Sequence, residues 1–568
     1  MKNWTWTKIV LLIIIPLFLY IALLPVMPVA EPDEARYSDI ASLMNSTGDY
    51  ITPQLNHVVY LEKPPLCYWA TALLFKIFGG NEFSSRLFAA LCAWGCIFLV
   101  YRMGTYFHDQ KTGLYSAGVL STFLYISVLG KINILDMPLT FFVSLATWAG
   151  YRYFAGNRER KGWIYLLYIG SALGFLTKGL IGIVFPFAIV VLWLSISGRW
   201  RDVTKLFSPV GVILFLLISS PWIILVQKAN KDFLQVFFIQ EHFLRYTTKL
   251  HSRSKMILFY VPVLLLGTLP WSAFLLKALE GMAPRDVPFF KTPEKRFLLV
   301  WIFLIFIFFS ISSSKLVFYI APIFLPIAVV FGHLFRSYED RLGTLEGGKT
   351  GGVLYDLPVI FQSLLFIAVL LVPCLIKYLR PGIQFGIDWT NARFEYGWWL
   401  IALPILLQVT IPFLPGLIQK RWRKGWFLIV CILSAMFFVS IHFPVAKILT
   451  SYKSAYPVSK AIDAWLPPGQ ELFQFRTSLY GIDFYNKIRT PLVDACGELE
   501  FGYLQLSPAE RSRYFYLSPE RFYQRCNQSG DNYCVTRFKK NVEELTRRVS
   551  RLEVLWDNGQ FYLVRLGN

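Results

Sequence analysis

Apolar runs of membrane-spanning length recur along this chain, and no other feature of the sequence limits its fold so sharply. Runs near 8–28, 84–105, 112–130, 134–154, 163–177, 180–197, 206–226, 256–277, 297–313, 316–335, 356–378, 397–416 and 425–443 each approach the roughly 20 residues that cross a hydrocarbon core. Fifty-five percent of the 568 residues are hydrophobic and 16% charged, with a mean hydropathy of +0.49. A soluble domain of this length lacks the interior to hide so much apolar surface, so lipid must cover the rest. The 18 Trp and 50 Phe suit a chain with rings at both membrane interfaces. The reading is a polytopic α-helical membrane protein of about 13 spans.

Two boundaries are soft. The stretch 163–197 reads as two short helices hinged at Thr177-Lys178-Gly179, and 297–335 is broken only at Ser312-Ser313-Ser314-Lys315. The first run has no small-residue cleavage site and reads as a retained helix. Basic residues mark one side. Lys2 and Lys8, Arg102 and Lys111, Arg152 to Lys161, Arg199 to Lys205, Lys291 to Arg296, Arg336 and Arg341, and Lys420 to Lys424 share a face, which is then cytoplasmic. Much of the +21 net charge is therefore topological and points to no nucleic acid. An odd span count puts the C-terminal end outside.

The opposite face holds loops 29–83, 227–255 and 379–396 and the tail. This divides the chain into a membrane domain, 1–445, and an external α/β domain, 446–568. A short helix is expected over 33–47, starting near Pro32 or Asp33. An amphipathic interfacial helix is expected over 231–246, with Phe233, Val236, Phe237 and Phe243 on one side. In the tail, helices are expected at 459–465, 479–485 and 542–551 and strands at 471–475 and 533–536. A hairpin is expected around Asp557-Asn558-Gly559, where Asn-Gly supplies positive φ. No catalytic motif appears there. Cys92, Cys96, Cys374 and Cys431 lie in spans as packing residues. Among Cys496, Cys526 and Cys534 one disulfide is expected, Cys526–Cys534 being the first choice.

Chemistry concentrates in the first external loop. Glu31-Pro32-Asp33-Glu34-Ala35-Arg36-Tyr37 places three carboxylates and an arginine at a membrane exit, and Tyr60-Leu61-Glu62-Lys63-Pro64-Pro65-Leu66 follows. Solvated interface charges would explain these residue types too. Asp136, in Lys131-Ile132-Asn133-Ile134-Leu135-Asp136-Met137-Pro138, stands at the start of a span, where an acid is costly without a task.

These three motifs, in order and on one face, resemble the lipid-dependent GT-C glycosyltransferases, and among them the lipid A 4-amino-4-deoxy-L-arabinose transferases, relatives of protein O-mannosyltransferases. The resemblance covers residues 1 to about 445. It implies a glycosyltransferase of the bacterial inner membrane, active on its periplasmic face, with an undecaprenyl-phosphate sugar as donor and lipid A or another envelope acceptor. Asp33 matches the essential acid of the first loop, and Lys63 a lysine that binds the donor phosphate. Tyr319 matches a tyrosine near that phosphate, while Asp136 and Arg36 match polar residues of the active site. Glu62 and His242 match a carboxylate and imidazole that can meet at a divalent cation, zinc or magnesium. Asp33, Asp136 and Glu34 are thus the catalytic candidates; Lys63, Arg36, Tyr319, Tyr60 and Arg245 are the substrate-binding ones.

Physical chemistry supports the same roles. Breaking a sugar–phosphate bond leaves a polyprenyl phosphate that gains negative charge, so fixed cations lower the barrier. Lys63, Arg36 and Arg245 can supply them, although Lys63 alone also reads as a snorkelling interface lysine. For a hydroxyl acceptor Asp33 would be the base. For a lipid A phosphate, already ionised, it would orient the donor by pairing with a sugar amino group. A protein O-mannosyltransferase-like enzyme, or one that glycosylates another envelope glycan, is the runner-up. A secondary transporter is the alternative from another class, but the two halves show no matched pair of Gly/Pro-broken helices.

Overall fold

Helical hairpins with short turns organise the membrane body. The computed structural model describes residues 2–156, 161–235, 237, 256–275, 292–344, 426–516, 518–528 and 530–567. After the N-terminal apolar helix come α1 (Asp33–Thr47) and α2 (Leu66–Phe78), joined by a small hairpin of β1 (Gln54–Leu55) and β2 (Val58–Val59). Next are α3 (Glu82–Phe107), α4 (Gln110–Ser121), α5 (Asp136–Ala155), α6 (Gly162–Lys178), α7 (Ile181–Ile196) and α8 (Pro209–Ala229). Helices α9 (Pro293–Ile311), α10 (Phe324–Thr344) and α11 (Trp426–Lys453) complete the body. Helix α3 packs on α4 and α5, α5 on α6 and α7, α6 on α8, and α10 on α4.

Four described helices are long and apolar enough to cross a membrane: Trp6–Val26, Glu82–Phe107, Pro209–Ala229 and Val317–Ser337. On α8, Ile213, Leu216, Leu217 and Ile224 are exposed, a face that is stable only against lipid. The expected spans 356–378 and 397–416 and the third external loop, 379–396, lie outside the described residues, as does Cys374. The hinge at 177–179 is present: α6 stops at Lys178, Gly179 adopts φ +81°, and α7 starts at Ile181. The break after α9 is present too, at Ser312–Leu316.

Two expectations for the membrane body need correcting. The run 112–130 is not one helix. Helix α4 ends at Ser121 and a short helix, Leu124–Leu129, follows, because Thr122 Oγ1 accepts the Trp271 indole N–H at 2.9 Å and the Leu124 N–H turns outward to the Leu269 carbonyl at 2.9 Å. Apolar content alone does not register such a tertiary diversion. Loop 29–83 also contains the 13-residue apolar helix α2, too short to span and started by Pro64-Pro65.

The chain end forms a mixed six-stranded sheet. Its strands are β3 (Leu472–Phe475), β4 (Leu492–Val493), β5 (Phe515–Tyr516), β6 (Asn532–Arg537), β7 (Arg551–Asp557) and β8 (Phe561–Gly567), in the order β5-β4-β3-β6-β8-β7. Only β8 runs antiparallel to its neighbours. Helices α12 (Tyr456–Trp465), α13 (Tyr480–Asn486), α14 (Pro519–Gln528) and α15 (Lys539–Arg548) cover it, and two apolar clusters fill the space. The β7–β8 hairpin turns where expected but by another device. Only Gly559 has positive φ, +80°, while the Asn558 side chain accepts the N–H groups of Gln560 and Phe561 at 3.1 and 2.9 Å.

The Cys526–Cys534 bridge is not formed. Both thiols are free and buried in one apolar cluster, and Cys496 is free as well. Cys92, Cys96 and Cys431 are buried packing residues.

Candidate functional site

Helix α1 begins beside the membrane exit with Asp33 and Glu34 in its first turn, where the helix dipole favours carboxylates. Three residues on, Arg36 lies over the same face, its Nη1 3.4 Å from Asp33 Oδ1. The Arg36 side chain is 7% exposed and that of Asp33 59%, so the pair presents its acid outward. The guanidinium sits 5.9, 5.9 and 5.8 Å from the ring centroids of Tyr37, Tyr60 and Tyr480. It donates to Tyr60 Oη at 3.3 Å and forms an ion pair with Glu498 of the C-terminal module.

Tyr60 passes the contact on by donating to Glu62 Oε2 at 3.1 Å. The same oxygen is 3.7 Å from Lys63 Nζ, which also donates to the Glu62 carbonyl at 2.9 Å. Lys63 and Glu62 are 13% and 19% exposed, held at the mouth of α2 by the rigid Pro64-Pro65 step. One network thus joins Asp33, Arg36, Tyr60, Glu62 and Lys63.

A second group lies within the bundle. Asp136, in the first turn of α5, accepts from Lys178 Nζ, at the end of α6, with a 2.6 Å contact. That ammonium stands 4.8 Å from the Tyr319 ring centroid. Tyr319 belongs to the Val317–Ile323 turn after α9, which is pinned by the Tyr125 hydroxyl on the Val317 carbonyl at 2.9 Å. Tyr37 connects the two groups electrostatically. Burial pushes its phenol well above the ordinary value, and Asp33, Asp136 and Glu62 push it the same way while Arg36 opposes them. Burial and then Glu62 likewise raise the Tyr60 phenol.

Glu34 requires a correction. It does not face these groups but accepts from Arg86 through both oxygens, at 2.6 and 2.7 Å, with both side chains 1% exposed. The Ala30 and Asn133 N–H groups donate to it at 2.8 and 3.0 Å. Arg86 also caps the carbonyls of Leu24, Met27 and Pro28. With every lone pair engaged, Glu34 fastens loop to bundle and offers nothing to a substrate. His242 and Arg245 lie outside the described residues, as does most of 231–246. From that segment Phe233 and Phe237 stack at 5.3 Å beside Trp222.

Sequence reasoning overlooked Lys178, Glu498 and Tyr37. Lys178 had a usable signal, a lysine ending an apolar run on the face where Asp136 begins one. Glu498 had none, since only folding brings it to Arg36. Glu62 is engaged by Tyr60 and Lys63, and the described residues contain no group of three His, Cys, Asp or Glu able to hold a metal ion.

Residues 62–225 match the model for dolichyl-phosphate-mannose-protein mannosyltransferases. The chain is 32% identical over 336 residues to an undecaprenyl phosphate-alpha-4-amino-4-deoxy-L-arabinose arabinosyl transferase of Proteus mirabilis, covering 57% of this chain and 59% of that protein. It is 30% identical over 371 residues to a protein of the same name from Shewanella sediminis, covering 64% and 66%. The matched part therefore spans about three-fifths of the length of these relatives. In fold, it is similar to a crystal structure of ArnT from Cupriavidus metallidurans bound to undecaprenyl phosphate, with TM-score 0.83 and 23% identity over 100% of this chain and 98% of that one. The helical membrane body and these likenesses agree: the chain has the fold of that ArnT structure, and its matched stretches are similar to the protein-mannosyltransferase model and to the aminoarabinose transferases.

Proposed function

We propose that this chain transfers 4-amino-4-deoxy-L-arabinose from undecaprenyl phosphate to a lipid A phosphate on the periplasmic face of a bacterial inner membrane. The observation that carries the reading is the network Asp33–Arg36–Tyr60–Glu62–Lys63, in which cations are fixed at a membrane exit and one acid stays open. In the reaction, the bond from the sugar C1 to the donor phosphate oxygen breaks and the electron pair leaves with polyprenyl phosphate. A bond from C1 to the acceptor phosphate oxygen forms. Lys63 is assigned to the departing phosphate, where its charge acts more strongly as the leaving group ionises. Arg36 is held rigidly by its tyrosines and orients Asp33. Since the acceptor oxygen is already ionised, Asp33 is assigned to the donor's amino group. Asp136 and Tyr319 complete the donor side, with Lys178 as the partner of Asp136.

A divalent cation at Glu62 and His242 belongs to the same reading. Glu62 has little free coordination left, so no step is routed through a metal. The span count of 13 and the external position of the C-terminal module are likewise proposed. The basic residues on the opposite face support them, and active alkaline phosphatase fused after Asn568 would check them.

The match over 62–225 favours a second reading, transfer to a protein hydroxyl, for which Asp33 would be the base. Mass spectrometry of lipid A and of envelope proteins from cells with and without the gene separates the two. Loss of aminoarabinose from lipid A is expected. Unchanged lipid A with lost protein glycans would move the assignment to the second reading, and no change in either would end both.

A further inference from the structure

The C-terminal module meets the first loop along a seam rich in buried acids that the proposed reaction does not use. The β1–β2 hairpin turns through Asn56 and His57, at φ 50° and 59°, and Asn56 Nδ2 reaches the Thr490 carbonyl at 3.2 Å. From the loop side, Asp39 of α1 accepts the Asn56 N–H through Oδ2 at 3.2 Å. On the module side, the Thr490 hydroxyl donates to Asp483 Oδ1 at 3.5 Å and accepts from Gln474 Nε2 at 2.7 Å. Gly502 approaches the same hairpin so closely that a Cβ there would stand 2.3 Å from the Val59 carbonyl oxygen. The seam is thus dry and tightly fitted, with Asp39 1% and Asp483 5% exposed.

The surrounding charges do not neutralise these acids. Lys487, Arg489, Glu31 and His57 are the titratable groups around the pair. Among the described residues neither acid has an ion-pair partner within 4 Å. Lys487 Nζ donates instead to Ser42 Oγ at 2.8 Å, and the Arg489 guanidinium lies 3.6 Å from the Tyr514 ring centroid. Glu31 is a third acid, its Oε1 taken by the Gly481 N–H at 2.6 Å.

We propose that Asp39 and Asp483 share a proton across this seam, and that its loss loosens the C-terminal module from the loop that carries Asp33 and Arg36. One proton between two buried carboxyls leaves a single charge, solvated by the Asn56 N–H and the Thr490 hydroxyl. A second charge in the same dry site meets no cation in contact, since Lys487 is turned to Ser42 and Arg489 to the Tyr514 ring, so the elements must separate and admit water. Burial raises the Asp39 carboxyl to about 7, and it raises Asp483 well above its ordinary value, with Asp39 as the next cause. Both shifts are upward. The seam's stability is therefore complete below the ordinary carboxylate range and declines as pH rises, the loss being full above about 7. The Arg36–Glu498 pair, which bridges the same two bodies, loosens with it.

The inference does not depend on which sugar or acceptor is used, and its test does not read turnover. Backbone hydrogen exchange of the full-length protein in detergent is followed from about pH 5 to about pH 9 and corrected for the intrinsic rate. Peptides covering 54–60 and 480–493 should lose about tenfold of their protection per pH unit from about pH 5 to about pH 7 and level off above it, a tenfold change matching one pKa unit, while peptides of α5 and α6 stay constant. Asp39→Asn keeps the acceptor for the Asn56 N–H and removes the titration, so its protection should stay high and flat with pH. Asp483→Asn, made in parallel, should be flat too. Flat wild-type protection would overturn the proposal, and so would a wild-type slope that survives in whichever variant folds.

Discussion

Asp33 and Glu34 are neighbours in sequence and opposites in fate. One is 59% exposed beside Arg36; the other is 1% exposed and locked to Arg86. The roughly 100° step between consecutive helical residues sends them to different faces of α1, one toward the open end of the loop and one into the bundle. The same contrast separates the Glu34–Arg86 and Asp136–Lys178 pairs. The first is sealed and has five further polar contacts; the second is 13–14% exposed and, among the described residues, is joined by one 2.6 Å contact with the Tyr319 ring beside it. A carboxylate near a membrane exit therefore carries no role by position alone. What separates fastening from chemistry is whether its lone pairs are already used.

The largest effect should come from breaking the sealed pair. Removing one partner of a buried ion pair strands the other's charge and costs about 3–5 kcal/mol. Glu34→Ala and Arg86→Met should each lower the yield of monodisperse protein severely, while the double variant should recover part of it. Measured by size-exclusion yield and thermal unfolding, a Glu34→Ala variant as stable as wild type but inactive would instead return Glu34 to the chemistry.

Next come the open residues. Asp33→Asn keeps shape and removes charge, so folding should be unaffected while turnover per folded molecule falls about 100-fold or more, the scale of one lost electrostatic contact in a transition state. Lys63→Ala and Lys63→Gln should lose both binding of undecaprenyl phosphate and turnover. Lys63→Arg should keep part of each, since charge remains but the planar head cannot occupy the same point. Normal undecaprenyl phosphate binding by Lys63→Ala would reduce Lys63 to an interface anchor and make Arg36 the next candidate.

This contrast also marks how far the sequence could be read. The helix at 33–47, the hinge at Gly179 and the break at Ser312–Leu316 were legible because each rests on local chemistry: an acidic first turn after a proline, a glycine, a polar interruption. The Asp33–Arg36 pair was legible for the same reason, being one helical turn. The Arg86 partner of Glu34 was not, because it lies 52 residues away and nothing in the loop motif signals which acid turns inward. Glu498 comes to Arg36 from the far end of the chain, and the short strands β4 and β5 exist only as additions to an existing sheet edge. In the tail, oxidising surroundings suggested a bridge where packing supplied another use for the sulfur atoms.

That last point gives the smallest expected effect and a clean reading. Cys526 on α14 and Cys534 on β6 face one cluster with Phe473, Phe475 and Phe522. Burial pushes the Cys526 thiol up to about 12 and Cys534 well above its ordinary value, so neither is a ready thiolate, the form that attacks a disulfide or an oxidant. As packing residues they should be replaceable at modest cost: Cys526→Ala removes one sulfur from a filled core and should cost about 1 kcal/mol, on the scale of a deleted methyl group. A disulfide closing so short a loop would contribute nearer to about 2–3 kcal/mol, and its contribution would vanish in reductant. The expected result is thus a small shift in unfolding for Cys526→Ala, identical with and without reductant, and alkylation of both Cys526 and Cys534 in the denatured, unreduced wild type. A wild-type transition that falls on reduction to the level of Cys526→Ala would establish the bridge and refute the packing account, because only a covalent link makes stability depend on the redox state of the buffer.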